Sequence, residues 1–219
     1  MKTIILDLVG YKEWTESLGC DREWRIQAFQ HYFASILYSK LADVNAFPIP
    51  IRYDSYIILV DGVKEKEVLH VIREVSEKYS PTKMQICKGY GETIYESIFN
   101  CVDTLEDKPD DKIVVAHYDI NGITRLDKRT AMQEIEELKA NVFSLSEKVG
   151  GIAYYFGGDN VGLFASKKDL DSMLTIANLN DNVKTGIGIA ENPRKALMKA
   201  TTALEYVRKN REIKWKILE

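Results

Sequence analysis

The chain reads as an α+β protein made of two tandem ferredoxin-like halves, and three observations lead there. Apolar runs too short for free-standing helices alternate with longer amphipathic segments, turn residues cluster between them, and the order of segments in the first half returns in the second. Each half reads β-α-β-β-α-β plus a final helix, the arrangement that lays helices on one face of an antiparallel sheet. The polar, proline-containing stretch 108–112 has the composition of a linker, so the expected domains are 1–107 and 108–219, copies from an internal duplication.

Residues 3–7 form a short apolar strand running into Asp7-Leu8-Val9-Gly10-Tyr11, and 112–118 form another running into Asp119-Ile120-Asn121-Gly122-Ile123. After a turn region with Trp14 and Gly19, 21–41 carries Ile26, Phe29, Phe33, Ile36, Leu37 and Leu41 at helical spacing, and 129–149 answers with Met132, Ile135, Leu138, Val142, Leu145 and Val149. A hairpin over 46–60, with Pro48 and Pro50 marking an edge strand or the turn before it, matches a hairpin over 151–164. The first half closes with a helix over 65–79, a strand over 83–88 and a helix from about 94 to 105. The second closes with 168–177, 183–189 and a helix from Pro193 to about 209, started by Asn192 as N-cap with proline in the first position. Residues 213–217 alternate like an added edge strand. The copies lie 112 residues apart at the aspartate strands, 105 at the hairpins and 99 at the last helices, which points to shorter connections in the second.

Composition narrows the function classes. With 45% hydrophobic and 29% charged residues and a formal net charge of −3, the chain fits a globular protein without the basic stripe that nucleic-acid phosphates need. No apolar run reaches membrane-spanning length, and Met1-Lys2-Thr3-Ile4 enters a strand without a signal-peptide pattern, so the expectation is a cytoplasmic protein with neither a nucleic-acid nor a membrane partner. Cys20, Cys87 and Cys101 stand far apart and predict no disulfide framework. His31, His70 and His117 are as scattered, and without His-Glu-x-x-His or a thiolate pair no zinc is expected.

The chemistry gathers at Gly157-Gly158-Asp159-Asn160. A glycine pair lets backbone approach a bulky anion and supplies the positive φ of a tight turn, leaving Asp159 at the tip to hold a cation against that anion; the same four residues are also ordinary turn chemistry. A strand ending in Asp119 beside this hairpin would set two carboxylates together, a hard oxygen site suited to Mg²⁺ and to the phosphates of a nucleotide. His117, two residues before Asp119, shares its face in a strand and reads as a supporting or core histidine before a catalytic one.

With those residues in view, the pattern resembles the palm-type domain of class III nucleotidyl cyclases and diguanylate cyclases, and the whole chain is similar to the archaeal GTP cyclohydrolase III family. The resemblance rests on Tyr11-x-x-Trp14, Arg52-Tyr53-Asp54, Gly89-Tyr90-Gly91, His117-x-Asp119-Ile120-Asn121, Gly157-Gly158-Asp159-Asn160 and Gly186-x-Gly188-Ile189 with its helix. It implies an enzyme that opens the imidazole ring of GTP at C8, keeps the formyl group and releases two orthophosphates, an early step toward flavins and deazaflavins. It implies Mg²⁺, two ions, at Asp119, Asp159 and the Ile120 carbonyl, with Asp7 as a further ligand. It implies substrate contacts from Asn121, Gly122, Gly157, Gly158 and Asn160, and from Arg208 and Arg211 near the end of the last helix, where the other reading of Arg208 is a solvated helix-end charge. Asp54 (catalytic), Arg52 (substrate-binding) and Asp7 belong to the first copy and would complete the site across the interface or be relics of duplication. The partners implied are GTP and further copies of the chain in a homo-oligomer. The alternatives on the same scaffold are a nucleotidyl cyclase or cyclic oligonucleotide synthase, or an inactive GTP-binding regulator. Departures from the family pattern fall at Gly10, Ser55 and Ala190 and leave the Asp119/Asp159 pair intact.

Overall fold

The computed structural model describes residues 1–210 and 212–219, the side chain of Leu179 excepted. Among them β1 (Lys2–Val9), β2 (Phe47–Arg52), β3 (Ser55–Leu59), β4 (Lys83–Tyr90) and β5 (Cys101–Val102) form one sheet in the order β2-β3-β1-β4-β5. The second sheet takes β6 (Ile113–Ile120), β7 (Ile152–Gly157), β8 (Asn160–Ser166), β9 (Val183–Ala190) and β10 (Trp215–Leu218) in the order β7-β8-β6-β9-β10. Strand for strand the two orders coincide, as a duplicated α+β pattern requires. Pro48 and Pro50 sit in β2, at the sheet edge, where a missing amide leaves no ladder bond open.

Strand alternation decides what lies on each face. Ile4, Leu6 and Leu8 of β1 point to one side, onto α2 (Glu23–Asp43) and α3 (Glu65–Tyr79), whose Phe33, Leu37, Leu41, Val68, Ile72 and Val75 complete that core. In the second half Val114, Ala116, Tyr118 and Ile120 of β6 meet Leu138, Val142 and Leu145 of α5 (Lys128–Lys148) and Met173 and Ile176 of α6 (Leu170–Leu179). The opposite faces meet each other. Ile49, Ile57 and Leu59 from the first sheet and Ile113, Val115 and Phe164 from the second share a third core with Ile94 of α4 (Ile94–Phe99) and Ala196 and Ala200 of α7 (Pro193–Lys209). Phe47 and Phe164 stack across it with ring centres 5.0 Å apart. Each sheet is therefore covered on both sides, by its own helix pair outside and by the other half inside. Among the described residues no helix is long and apolar enough to cross a membrane.

Three features depart from the sequence-based expectations. The turn region after β1 is a helix, α1 (Tyr11–Ser17), entered from Gly10 at φ 80°. Trp14 of α1 lays its ring 5.3 Å from Tyr11 and 4.8 Å from Phe29 of α2, an aromatic contact that short-range patterning does not see. The helix expected over 94–105 stops at Phe99: the Asn100 side chain donates to the Tyr90 carbonyl at 2.7 Å, and the chain returns as β5 alongside β4. That return brings Cys101 to Cys87, and the two form a disulfide across Cα atoms 5.8 Å apart. The expectation of no disulfide was incorrect because spacing along a chain says nothing of a helical turn that brings residues back to a neighbouring strand.

Candidate active site

The site is assembled by β6, the β7–β8 hairpin and α7. Period-two alternation puts His117 and Asp119 on the face of β6 turned away from α5 and toward α7. In the ladder Asp119 stands opposite Asn160, so the hairpin tip, Gly157-Gly158-Asp159, projects just past the end of β6. The register shifts between Tyr155 and Gly157, and Gly157 (φ 108°) and Gly158 (φ 62°) hold backbone angles that side chains other than glycine rarely take. Across this face runs α7. A Cβ at Gly186 of β9 would overlap the Ala200 carbonyl, so helix and strand approach as closely as they do only because that position carries no side chain. Thr201 and Arg208, seven residues apart on α7, share one side of the helix and reach the sheet together.

The polar groups form one network. Arg208 Nε donates to Asp119 Oδ2 at 3.0 Å, its Nη2 donates to Asp119 Oδ1, and the same Nη2 reaches Asn160 Oδ1 at 3.2 Å. Asn160 Nδ2 donates to Asp159 Oδ1 at 3.0 Å. Since a carboxylate only accepts, the amide NH₂ must face Asp159 and the amide oxygen must face donors. His117 Nε2, 2.9 Å from that oxygen, therefore carries the ring proton, and Nδ1 is left to accept from the Thr201 hydroxyl at 3.5 Å. The Phe156 ring closes over His117 edge-on at 5.0 Å.

Electrostatics follow from burial. Asp119 is 5% exposed and carries the Arg208 ion pair. Asp159 is pushed above the usual carboxylate range by burial first and by the Asp119 charge second, with Arg208 pulling the other way. Burial pushes His117 down, against its bond to Asn160, and so favours the neutral ring that the hydrogen bonds describe. Two carboxylates whose charges oppose each other are a donor set that a cation relieves. Among the described residues no group of three or more His, Cys, Asp or Glu is placed to cage an ion. Two carboxylates with a strand-end carbonyl, open toward the glycines, fit an ion of the Mg²⁺ type that takes its remaining ligands from water and phosphate.

The structure joins Asp119, Asp159, Asn160 and Arg208, with Gly157 and Gly158 beside them. Ile120 is buried in the core through its side chain and has only its carbonyl to offer; the Asn121 amide is engaged by the Asn182 carbonyl at 2.7 Å, and Gly122 turns the chain at φ 78°. Arg211 lies outside the described residues.

Among the described residues no hydrogen bond or ion pair joins the first-half candidates Asp7, Arg52 and Asp54 to this network. Asp7 accepts from the Ser55 hydroxyl at 2.6 Å, and Asp54 pairs with Arg52 at 3.2 Å. The ladder explains why. Asp7 opposes Ser55 as Asp119 opposes Asn160, and Arg52 opposes Ser55 as Gly157 opposes Asn160. Arg52 and Tyr53 thus stand where the second half has two glycines. The first-half tip therefore carries two side chains where the second has none, and its carboxylate, Asp54, is paired with Arg52.

One residue of the network escaped the sequence reading: Thr201, signalled by its seven-residue spacing from Arg208, reaches His117 at 3.5 Å. Lys184 lies opposite Asp119 in the β6–β9 ladder, 5% exposed, but its ammonium donates to the Ile213 carbonyl at 2.8 Å.

The family model described as GTP cyclohydrolase III matches residues 1–217. A protein named GTP cyclohydrolase III from Sulfurisphaera tokodaii is 43% identical over 225 residues, covering 100% of this chain and 99% of that one. One of the same name from Saccharolobus solfataricus is 35% identical over 231 residues, covering 100% of each. Among solved structures, a bacterial light-regulated adenylyl cyclase aligns over 99% of this chain and 85% of its own at 10% identity, with a TM-score of 0.42.

Proposed function

The chain belongs to the GTP cyclohydrolase III family, and from that premise we propose that it hydrolyses GTP at the Asp119/Asp159 end of the second sheet, opening the guanine imidazole ring at C8 with the formyl group retained and releasing two orthophosphates. The observation that carries the site is the convergence of two carboxylates and one guanidinium beside a side-chain-free hairpin tip. Such a place neutralises and orients a polyphosphate.

Asp119, Asp159 and the Ile120 carbonyl would hold two Mg²⁺ ions, which when bound supply charge neutralisation for phosphoanhydride hydrolysis. Gly157 and Gly158 leave their backbone open to phosphate oxygens. Asn160, anchored by His117, holds Asp159 in place. Asn121 and Gly122 line the strand end on the other side, and Arg208 takes the triphosphate. The second half performs this work and the first supports it, a reading favoured by Arg52 and Tyr53 standing in the first hairpin where the second has its two glycines.

The test is to incubate the protein with GTP and Mg²⁺ and to follow phosphate together with formylaminopyrimidine absorbance. Two phosphates per GTP are expected. Pyrophosphate instead identifies a nucleotidyl transfer or cyclase reaction, and unchanged GTP a binding protein.

We propose further that the enzyme is a cytoplasmic homo-oligomer. A cavity of about 570 Å³ opens between the halves, lined by residues such as Ile51, Tyr95, Phe99 and Phe143. Phe99 is 71% exposed, and a cluster of this kind is normally covered. Sedimentation should show a species larger than the monomer, and Phe99→Asp should shift it toward the monomer; a wild-type monomer at micromolar concentration removes this part of the reading.

A further inference from the structure

Arg208 stands where a cation bound to Asp119 would act. Its Nε and Nη2 engage both Asp119 oxygens, Nε at 3.0 Å, through the forked edge that matches a carboxylate. An ionised carboxylate buried as deeply as Asp119 needs a partner, and Arg208 is that partner. A divalent ion on the same oxygens would stand within a few ångström of the guanidinium, and the two cations repel.

Arg208 is nevertheless not locked in place. Its side chain is 45% exposed and belongs to the last turn of α7. Nor does Asn160 depend on it, since His117 and Asp159 hold both ends of that amide. The same fork that grips a carboxylate grips phosphate oxygens equally well.

We propose that Arg208 is an exchange counterion: it holds Asp119 in the metal-free protein and passes to the nucleotide's triphosphate when ion and nucleotide arrive together, so that the two bind with positive coupling. An ion alone meets a carboxylate already engaged. Nucleotide draws the guanidinium away and frees Asp119, and by linkage the ion raises nucleotide affinity by the same factor. This deepens the proposed function and rests on Asp119 being an ion ligand.

The probe is Mn²⁺, titrated by electron paramagnetic resonance with and without a non-hydrolysable GTP analogue. In Arg208→Met, Mn²⁺ alone should bind roughly tenfold tighter than in wild type, the size expected for losing one charged hydrogen-bonded competitor, and the gain in Mn²⁺ affinity on adding the analogue should shrink correspondingly. Arg208→Lys keeps the charge without the fork and should fall between the two. Unchanged Mn²⁺ affinity in Arg208→Met overturns the exchange. Asp119→Asn separates the two ideas: it should abolish Mn²⁺ binding, and if it does not, the ion site itself is misassigned whatever Arg208 does.

Discussion

Asp61 and Asp119 are both buried carboxylates, with different partners. Asp119 has the Arg208 guanidinium, whereas Asp61, with no exposed surface, accepts the Lys2 amide at 3.0 Å while the Lys2 ammonium goes to Asp110. Burial pushes Asp61 up to about 6, with the Lys2 amide and the chain's amino terminus restraining the rise. Its folded value thus lies above the roughly 3.9 of an unfolded aspartate. The folded state holds this proton more tightly, so the contribution is complete below about pH 4 and is lost as pH climbs through about 6, roughly 2–3 kcal/mol in all. Asp61→Asn should therefore melt higher than wild type at neutral pH and converge with it near pH 4; a gap that does not change with pH would refute this. At Asp159 the expectation concerns activity instead. Asp159→Ala should abolish phosphate release while changing stability by no more than about 0.5 kcal/mol, since a half-buried hairpin tip supports little of the core. Wild-type turnover in that variant would take Asp159 out of the site.

At the scale of elements, α7 matters most, because it delivers Arg208 and Thr201 to β6. Its approach depends on glycine at Gly186, where any side chain meets the Ala200 carbonyl. Gly186→Ala should cost about 1–3 kcal/mol of stability through overpacking and should also lower activity, because α7 cannot move outward without carrying Arg208 from Asp119. A variant that melts early but turns over normally would separate helix docking from the site. The start of α7 was legible in the sequence: the Asn192 side chain caps the Lys195 amide at 2.9 Å and Pro193 follows it. The end of α4 was not, because what stops it is contact with β4, through the Asn100 side chain on the Tyr90 carbonyl and the pairing of β5. The same shortening removes from the first half any helix end that could present a counterpart of Arg208.

At the scale of the molecule, two sheets share an inner core, and the first half is tied further by Cys87–Cys101. A cross-link closing a loop of 14 residues restricts the unfolded chain by about 3 kcal/mol on the loop-entropy account. Reduction, or the double change Cys87→Ser with Cys101→Ser, should lower stability by about that amount and leave GTP turnover intact at moderate temperature. An unchanged melting curve would show that the bond contributes nothing.

The sequence alone determined the repeated β-α-β-β-α-β order, the positions of the strands and most helices, and the carboxylate–glycine–carboxylate chemistry, because apolar periodicity, capping residues and turn residues act over a few neighbours. Only the tertiary structure decided that Asp119 is engaged by Arg208, that Arg52 and Tyr53 stand in the first hairpin where the second has two glycines, and that Cys87 meets Cys101. Those depend on contacts between residues far apart in the chain: the ladder that sets Arg52 and Tyr53 at the places of Gly157 and Gly158, and the helix that crosses β6 because Gly186 lets it.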